Sequence, residues 1–219
     1  MIKIENVEVV GLKAAIRGMR NPMNSWDKSD SYSLECTDAA HNSSNYIVGE
    51  KDLDLMRRLR KAGTDHRKFM RMITVYADVT APLYWWKEYD TYKVGTVANS
   101  CSTMHKIQDK EFTIDDFSVE HLSDACDLSN GENPMKAMEQ VIHCLNLCRY
   151  LYVKTKDKAY WWQMIQLLPS SFNQKRTLML NYEVLTNIYH ARKNHKLDEW
   201  RDFCEWVKTL PYSELIIGE

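Results

Sequence analysis

Glycine is scarce in this chain, and its scarcity limits the folds and ligand sites that the sequence can form. Only 7 of the 219 residues are glycine, about half of the usual share of roughly 7%. Neither G-x-G-x-x-G nor G-x-x-x-x-G-K-[ST] occurs in the sequence. A Rossmann dinucleotide site and a P-loop both need glycine where the backbone approaches a phosphate, so we exclude both kinds of site.

The overall composition is typical of a folded protein. A chain of 219 residues with 44% hydrophobic residues is long enough to bury a large core. The net charge of −1 does not favour a broadly basic surface for nucleic acid. The sequence has six cysteines, no N-terminal secretory pattern and no apolar run of membrane-spanning length. We therefore expect a cytoplasmic protein with reduced thiols that binds neither membrane nor nucleic acid.

Hydrophobic periodicity predicts an α+β domain over residues 1–219, without repeats or linkers. Strands are predicted at 2–10, 69–79 and 177–180. Helices are predicted at 11–19, 52–61 and 82–92, from Pro134 to about Tyr152, around 161–168, and at 184–192 and 198–210. Residues 24–50 are rich in Ser, Asp and Asn over most of their length, which predicts a long surface loop. The segment 99–107 has no clear pattern.

Two basic features have alternative interpretations. Arg71 shares the parity of the apolar residues on the predicted strand 69–79. A charged side chain on an apolar face needs a partner, so Arg71 lies either at the wet end of the strand or beside an anionic ligand. The basic stretch 57–71 either forms a solvated helix face or holds phosphates.

Pairs of aromatic and thiol side chains also have alternative interpretations. The tryptophan pairs 85–86 and 161–162 either pack in a core or at a subunit interface, or stack on a planar ligand. Neighbouring helical residues diverge by about 100°, so we expect at most one member of each pair to point into a common core. Cys144 and Cys148 lie one helical turn apart on an apolar stripe, and no C-x-x-C accompanies them. We predict core packing for both thiols and no metal site.

Polar residues interrupt the apolar helices near the C-terminus. Asn181 and Arg192 are eleven positions apart, so a continuous helix places them on one azimuth, about 16 Å apart, with Asn187 about 140° away. This arrangement suits an extended ligand or a site shared between subunits. No Ser/His/Asp set on a nucleophile elbow and no H-E-x-x-H occurs in the chain.

These C-terminal residues resemble a motif of the flavin-dependent thymidylate synthase (ThyX) family. The sequence NYEVL at 181–185, continued by Asn187 and Arg192, is similar to N-x-R-S-L-x-x-F-x-x-x-R. The sequence NHKLDEWR at 194–201 is similar to the H-A-Q-x-E-I-R element that follows it. Further upstream, DHRKF at 65–69 is similar to the family's E-H-x-x-F.

The resemblance implies a fold, a cofactor and a set of site residues. The fold would be ThyX-like, with a mixed or antiparallel sheet packed with helices, in a homotetramer. The reaction would be the FAD-assisted reductive methylation of a uracil nucleotide, of the dUMP to dTMP type, with a folate as methylene donor. The resemblance assigns Arg192 as the catalytic residue at the pyrimidine. It assigns His66, Asn181, Asn187 and His195 to cofactor binding. The candidate substrate-binding residues are Arg71, Lys87, Asn99, Ser102 and Arg176.

The family's arginine-rich signature, R-H-R-x-x-S-x-N-E-x-S-x-R-Y, is only partly present. Its counterpart begins with Lys-Glu-Tyr at 87–89 and continues with NSCSTMH at 99–105. Glu183 stands where the family has the arginine of N-x-R-S-L. Each charge-assisted hydrogen bond contributes roughly 1.5–3 kcal/mol, so these replacements weaken a site for a nucleotide and a diphosphate. Two alternatives follow: a non-catalytic protein that binds a nucleotide, and a structural protein that binds a partner.

Overall fold

The computed structural model describes residues 1–34, 46–125 and 133–218 and confirms the α+β class. The strands are β1 (Lys3–Val10), β2 (Tyr32–Ser33), β3 (Tyr46–Ile47), β4 (Thr74–Pro82), β5 (Val97–Ser100) and β6 (Asn173–Asn181). The helices are α1 (Leu12–Arg20), α2 (Glu50–Lys61), α3 (Leu83–Tyr89), α4 (Thr103–Lys106), α5 (Pro134–Thr155), α6 (Lys158–Leu167), α7 (Tyr182–Arg192), α8 (Asp198–Lys208) and α9 (Glu214–Ile217). None of these helices is long and apolar enough to cross a membrane.

The chain forms two compact units. Unit 1 comprises Met1–Lys3, Thr80–Tyr89 and Ser100–Arg176, and unit 2 comprises Ile4–Val79, Asp90–Asn99 and Thr177–Glu219. A four-stranded sheet has the order β1-β4-β6-β5, and each of its four strands contributes residues to both units. A separate two-stranded sheet pairs β2 and β3 antiparallel. That residues 1–219 are one domain stays a prediction.

The predicted strand 69–79 is wrong in its first half. Lys68–Met72 forms a 3-10 helix, and β4 begins only at Thr74. Phe69 and Met70 are neighbours and both are buried, which the alternating side chains of a strand cannot achieve. Arg71 is exposed on this 3-10 helix. It therefore lies on neither face of a strand, and the question of a buried partner for its charge does not arise.

The predicted start of the third helix is also wrong, because Pro82 ends β4 and α3 begins at the next residue. The first two helical amides donate outside the helix, from Leu83 to the carbonyl of Phe172 and from Tyr84 to the carbonyl of Ser170, each at 3.0 Å. Proline has no amide hydrogen, so it suits the end of a strand, where pairing stops.

Both members of the first tryptophan pair are buried, contrary to the prediction. Trp85 and Trp86 are 0% and 1% exposed, and their rings meet edge to face with centroids 4.8 Å apart. Trp86 donates its ring N–H to the carbonyl of Gln174 at 2.9 Å. A helix that is enclosed over a wide arc can bury two neighbours that diverge by about 100°. In the second pair, Trp162 is exposed and Trp161 is half-buried.

The predicted core packing of both thiols is wrong for Cys144, which is exposed, whereas Cys148 is half-buried. Cys144 comes directly before the fully buried Leu145 in α5, so its side chain points about 100° away from that of Leu145. No group of three or more His, Cys, Asp or Glu side chains among the described residues could hold a metal ion.

The predicted loop 24–50 falls partly outside the described residues. Its described parts hold a 3-10 helix at Trp26–Lys28, the strands β2 and β3, and the first residue of α2. The segment 99–107, which had no clear pattern, contains the end of β5 and the short helix α4. The last predicted strand is longer than expected, since β6 begins at Asn173.

Unit 1 is organised around two consecutive helices, α5 and α6, which pack against each other. Asn133 caps α5 by accepting a hydrogen bond from the amide of Lys136 at 2.8 Å, and Pro134 occupies the first turn. The apolar stripe that predicted α5 packs in a core of six buried residues: Ile107, Phe112, Phe117, Met138, Leu145 and Met164. The predicted helix at Pro134 is therefore confirmed.

Unit 2 is organised around α7 and a buried ion pair. Helix α7 packs against the 3-10 helix Lys68–Met72, α8 and α9. Elsewhere in the unit, Arg20 on α1 donates to Asp52 on α2 at 2.6 Å, and both side chains are buried. The same carboxylate accepts hydrogen bonds from the hydroxyls of Ser29 and Ser31, each at 2.6 Å. Asp52 thus joins two helices to the segment between them.

These contacts determine the charge state of Asp52. Burial by itself raises the pKa of Asp52, but hydrogen bonds from Ser29, Ser31 and Arg20, with the charge of Arg20, lower it below its usual value overall. A carboxyl group whose pKa is lower in the folded state stabilises that state above its unfolded pKa. This stabilisation is lost as the pH falls through the folded pKa.

We predict that Asp52→Asn lowers the free energy of unfolding at neutral pH by about 3–5 kcal/mol, because Arg20 stays buried without its counter-charge. Urea unfolding measures the change. Asp54→Asn is the matched control, since Asp54 pairs with Arg58 on the exposed face of the same helix, and it should cost at most about 1 kcal/mol. The difference between wild type and Asp52→Asn should shrink as the pH falls through the pKa of folded Asp52. Equal losses in the two variants contradict the role of Asp52.

Candidate functional site

Asn181 joins the last strand directly to α7, the helix that carries two of the predicted site residues, Asn187 and Arg192. It is the last residue of β6, and its side-chain oxygen caps α7 by accepting from the amide of Val184 at 3.0 Å. Its side-chain nitrogen donates to the carbonyl of Gly95 at 3.4 Å. The next amide, that of Tyr182, donates to the carbonyl of Ile73 at 3.1 Å. The amide group of Asn181 is therefore engaged on both sides.

Arg192, at the other end of α7, is held by aromatic side chains. Its Nε donates to the hydroxyl of Tyr92 at 2.9 Å. The guanidinium carbon lies 4.7 Å from the ring centroid of Trp200 and 5.6 Å from that of Tyr92. Contacts of a cation with ring faces at these distances are attractive and fix the plane of the guanidinium. The chain thus holds a permanent positive charge in a defined orientation.

His195 completes this group, and its tautomer decides which hydrogen bond it makes. Its Nε2 lies 3.0 Å from NH1 of Arg192, and its Nδ1 lies 3.2 Å from the amide nitrogen of Leu197. A neutral imidazole accepts at only one nitrogen, so one tautomer accepts at Nε2 from Arg192, and the other accepts at Nδ1 from Leu197 and directs an Nε2–H toward the guanidinium. In the second tautomer the two N–H donors repel each other unless an acceptor oxygen placed between them binds both.

The segment Asp90–Thr96 contacts both predicted site residues at the ends of α7. Tyr92 reaches Arg192, and Gly95 accepts from Asn181. Thr96 donates its hydroxyl to the carbonyl of Tyr92, which closes the segment into a turn. No role in the site was predicted from the sequence for Tyr92, Gly95 or Trp200. A glycine in a chain with so few glycines was the one available signal.

Gly95 has little room for a side chain. Its φ of +77° is in the left-handed region, and an added Cβ would lie 3.1 Å from the side-chain nitrogen of Asn181 and 3.2 Å from a methyl carbon of Val184. Gly63 also has a positive φ, of +104°, but an added Cβ there would meet no atom within 4 Å. Substitution of Gly63 therefore tests the cost of a positive φ alone, whereas substitution of Gly95 adds the cost of close contact with Asn181.

Glu183 forms an ion pair with Arg67. It lies in the first turn of α7, where the helix dipole favours a negative charge. Arg67 donates to Oε1 of Glu183 at 3.0 Å through NH2, and its Nε lies 3.0 Å from Oε2. Asn187 lies four residues further along the same face of α7 and is exposed. His66, the neighbour of Arg67 in sequence, is also exposed.

Further cations lie near this face of α7. Burial lowers the pKa of His190, and the charges of Lys193, Arg60 and Arg67 lower it further. Burial and the charge of Arg67 lower the pKa of Arg60. His190 is therefore largely uncharged at neutral pH, next to guanidinium groups that remain charged. Part of the basic stretch 57–71 thus gathers beside α7 and is not only a solvated helix face.

The remaining predicted site residues divide between the units. Arg71 and Asn99 belong to unit 2, and both are exposed. In unit 1, Lys87 is exposed on α3, and the hydroxyl of Ser102 caps α4 by accepting from the amide of His105 at 3.0 Å. Arg176 stacks on the ring of Trp86 at 4.2 Å and donates to the side-chain oxygen of Gln174 at 3.0 Å.

Solved structures have the same fold, although sequence comparison finds no match. No protein-family model matches the chain, and no curated protein matches its sequence. A structure of thymidylate synthase X (ThyX) from Helicobacter pylori with FAD and dUMP covers 99% of this chain and 97% of its own, with a TM-score of 0.66 at 15% identity. A second structure of that enzyme, complexed with FAD and dUMP, covers 99% and 98%, with a TM-score of 0.64 at 14% identity.

The UMP/dUMP methylase PolB from Streptomyces cacaoi, bound with 5-Br dUMP, covers 100% of this chain and 94% of its own, with a TM-score of 0.59 at 13% identity. The chain has a ThyX-like fold. The predicted fold class is thereby confirmed over nearly the whole chain. At 13–15% identity, the likeness establishes the fold alone.

We predict that Gly95→Ala destabilises the protein more than Gly63→Ala does. Both variants place alanine at a positive φ, which costs about 1–2 kcal/mol. Gly95→Ala adds the close contact with Asn181 and Val184, at an overpacking cost of about 1–3 kcal/mol. Urea unfolding of the two variants measures the difference. Equal destabilisation would mean that the segment Asp90–Thr96 is not packed on the cap of α7.

Proposed function

We propose that the protein binds FAD and a uracil nucleotide and catalyses a reductive methylation of the dUMP to dTMP type. The observation that carries this proposal is the group formed by Arg192, His195, Tyr92 and Trp200 at the end of α7, in a chain with a ThyX-like fold. Three solved structures with this fold contain FAD and dUMP, or 5-Br dUMP.

The residues around α7 fit a flavin dinucleotide. A diphosphate needs cations, and Lys193, Arg60 and Arg67 lie close enough to His190 to lower its pKa. To bind a diphosphate, Arg60 and Arg67 would have to exchange part of their bonds to the carbonyl of Leu215 and to Glu183. The exposed side chains of Asn187 and His66 add a carboxamide and an imidazole, which can bond to the ring system. Asn181 would act chiefly by capping α7 and holding the segment at Gly95.

Arg192 would bind and polarise the pyrimidine. Its guanidinium stays charged at every physiological pH and is oriented by Tyr92 and Trp200. Donors at Arg192 and His195 suit a ring carbonyl oxygen, and the positive charge stabilises negative charge that develops on the ring. Bound FAD would supply the hydride chemistry. The protein would therefore need no nucleophile of its own, which agrees with the absence of a nucleophile motif from the sequence.

A second candidate function is nucleotide binding without catalysis. It is favoured by Glu183, which stands where the resembling family has an arginine and is already neutralised by Arg67. Tyr89, at the end of the Lys-Glu-Tyr segment, is buried beside Trp85 with ring centroids 5.3 Å apart. In this chain, part of the segment that corresponds to the signature thus serves packing.

The homotetramer also stays a prediction, which light scattering tests.

The proposal predicts that purified protein takes up FAD and that Arg192→Lys impairs the use of dUMP. Titration with FAD, followed by visible absorbance after dialysis, measures flavin binding. Turnover is measured as dTMP formed from dUMP, a methylene-carrying folate and a reductant. Arg192→Lys keeps the charge but loses the planar fork, so kcat/KM for dUMP should fall at least about tenfold.

Arg58→Lys is the control for Arg192→Lys, because Arg58 is exposed and pairs only with the nearby Asp54 among the described residues. It should leave kcat/KM unchanged. A protein that remains colourless after FAD titration contradicts the flavin proposal. Binding of dUMP by such a protein supports the second candidate function.

A further inference from the structure

A cavity in unit 1 combines an apolar floor with a basic rim. Its volume is about 350 Å³, within the range of roughly 300–1,000 Å³ that is typical of small-molecule sites. The floor contains the buried side chains of Ile107 and Phe112. The rim carries three lysines, Lys106, Lys110 and Lys175. A flat apolar group with an attached anion suits such a lining.

One wall of the cavity is fixed by hydrogen bonds to β6. The amide of Cys101 donates to the carbonyl of Lys175 at 2.9 Å. The side chain of Gln174, which is buried, donates to the carbonyl of Cys101 at 2.9 Å. Residues 101–103 therefore hold a defined position against the strand. This wall includes Ser102, a predicted substrate-binding residue.

A second wall, which carries Lys106, Lys110 and Phe112, is fixed to α5. Asn146 accepts from the amide of Phe112 at 2.8 Å and donates to the carbonyl of the same residue at 2.9 Å. Arg149 donates to the carbonyl of Gln108 at 3.0 Å. Two side chains of one helix thus hold the chain that carries Lys106 and Lys110. Because both walls are tied down, a ligand would meet a largely preformed site.

The lysines on the rim can exchange their present partners for a ligand. Lys106 pairs with Asp109 at 3.0 Å, and Lys110 pairs with Asp116. Both ammonium groups are mostly exposed, and such ion pairs contribute only about 0–1 kcal/mol. Asp116 also lines the cavity, so the lining holds three lysines against one aspartate. The potential inside therefore favours an anion.

We propose that this cavity binds the phosphate of a uracil nucleotide, with Lys106, Lys110 and Lys175 as its cations. The inference rests on the proposed function. It replaces the predicted phosphate ligand Arg176, whose guanidinium is stacked on Trp86 and bonded to Gln174. The hydroxyl of Ser102 accepts from His105 and can still donate its own proton to a phosphate oxygen.

Isothermal titration with dUMP and with 2′-deoxyuridine, which lacks the phosphate, tests the proposal on the whole protein without added FAD. Wild type should bind dUMP more tightly than deoxyuridine, and added salt should weaken only dUMP. The triple variant Lys106→Gln, Lys110→Gln, Lys175→Gln should bind dUMP at least about tenfold more weakly and deoxyuridine unchanged. Each single variant should give part of this loss.

Lys154→Gln is the matched control, since Lys154 lies on α5 and contacts the ring of Tyr150. It should leave dUMP affinity unchanged, and thermal unfolding checks that every variant is folded. Unchanged dUMP affinity in the triple variant, an equal loss for deoxyuridine, or equal affinity of wild type for both ligands overturns the proposal.

These results separate the two proposals. Lysine-dependent binding of dUMP by a protein that takes up no FAD supports the cavity and contradicts the flavin enzyme. Turnover of dUMP that is unaffected by the triple variant supports the enzyme and overturns the cavity. Failure to bind dUMP and deoxyuridine overturns both.

Discussion

The passage from strand to helix at Asn181 is the constraint on which the candidate site depends. β6 becomes α7 without an intervening loop, so the side chain of Asn181 has to end the strand and cap the helix at once. The same carboxamide holds the carbonyl of Gly95. Because α7 starts at this fixed point, the positions of Glu183, Asn187 and Arg192 follow from helical geometry. The cap at Asn181 thus fixes where α7 starts, and with it the directions of the candidate side chains along this helix.

Positive charge in this protein is held by specific neighbours. Arg20 is neutralised by buried Asp52, Arg67 by Glu183, and Arg192 rests on aromatic rings. A near-neutral net charge is compatible with such local sites, since cations need only to be concentrated where an anion binds. The scarcity of glycine makes this necessary. Without a glycine-rich loop to offer backbone amides, phosphate binding would fall to side chains, such as those of Lys106 and Lys110 in the proposed cavity.

Much of the fold could be predicted from the sequence, and so could the placement of two candidate site residues on one element. The apolar stripe after Pro134 predicted α5, and the offset between Asn181 and Arg192 suited one helix, whose two ends they occupy. Tyr92 and Gly95 could not be predicted, because they reach α7 from a segment about a hundred positions away in sequence. Contacts of this kind leave no local periodicity, and an isolated glycine or tyrosine has many possible roles.

The sequence by itself determined the periodic elements, the excluded phosphate motifs and the spacing of residues along α7, because these depend on neighbours within a few positions. The tertiary structure decided which charges meet. In the sequence, Glu183 is only a residue that replaces the arginine of the resembling family. In the folded chain it is the ion-pair partner of Arg67. Lys110 and Lys175 are separated by 65 positions and yet line one cavity. Long-range electrostatic partners are chosen by packing, and packing is a property of the whole chain.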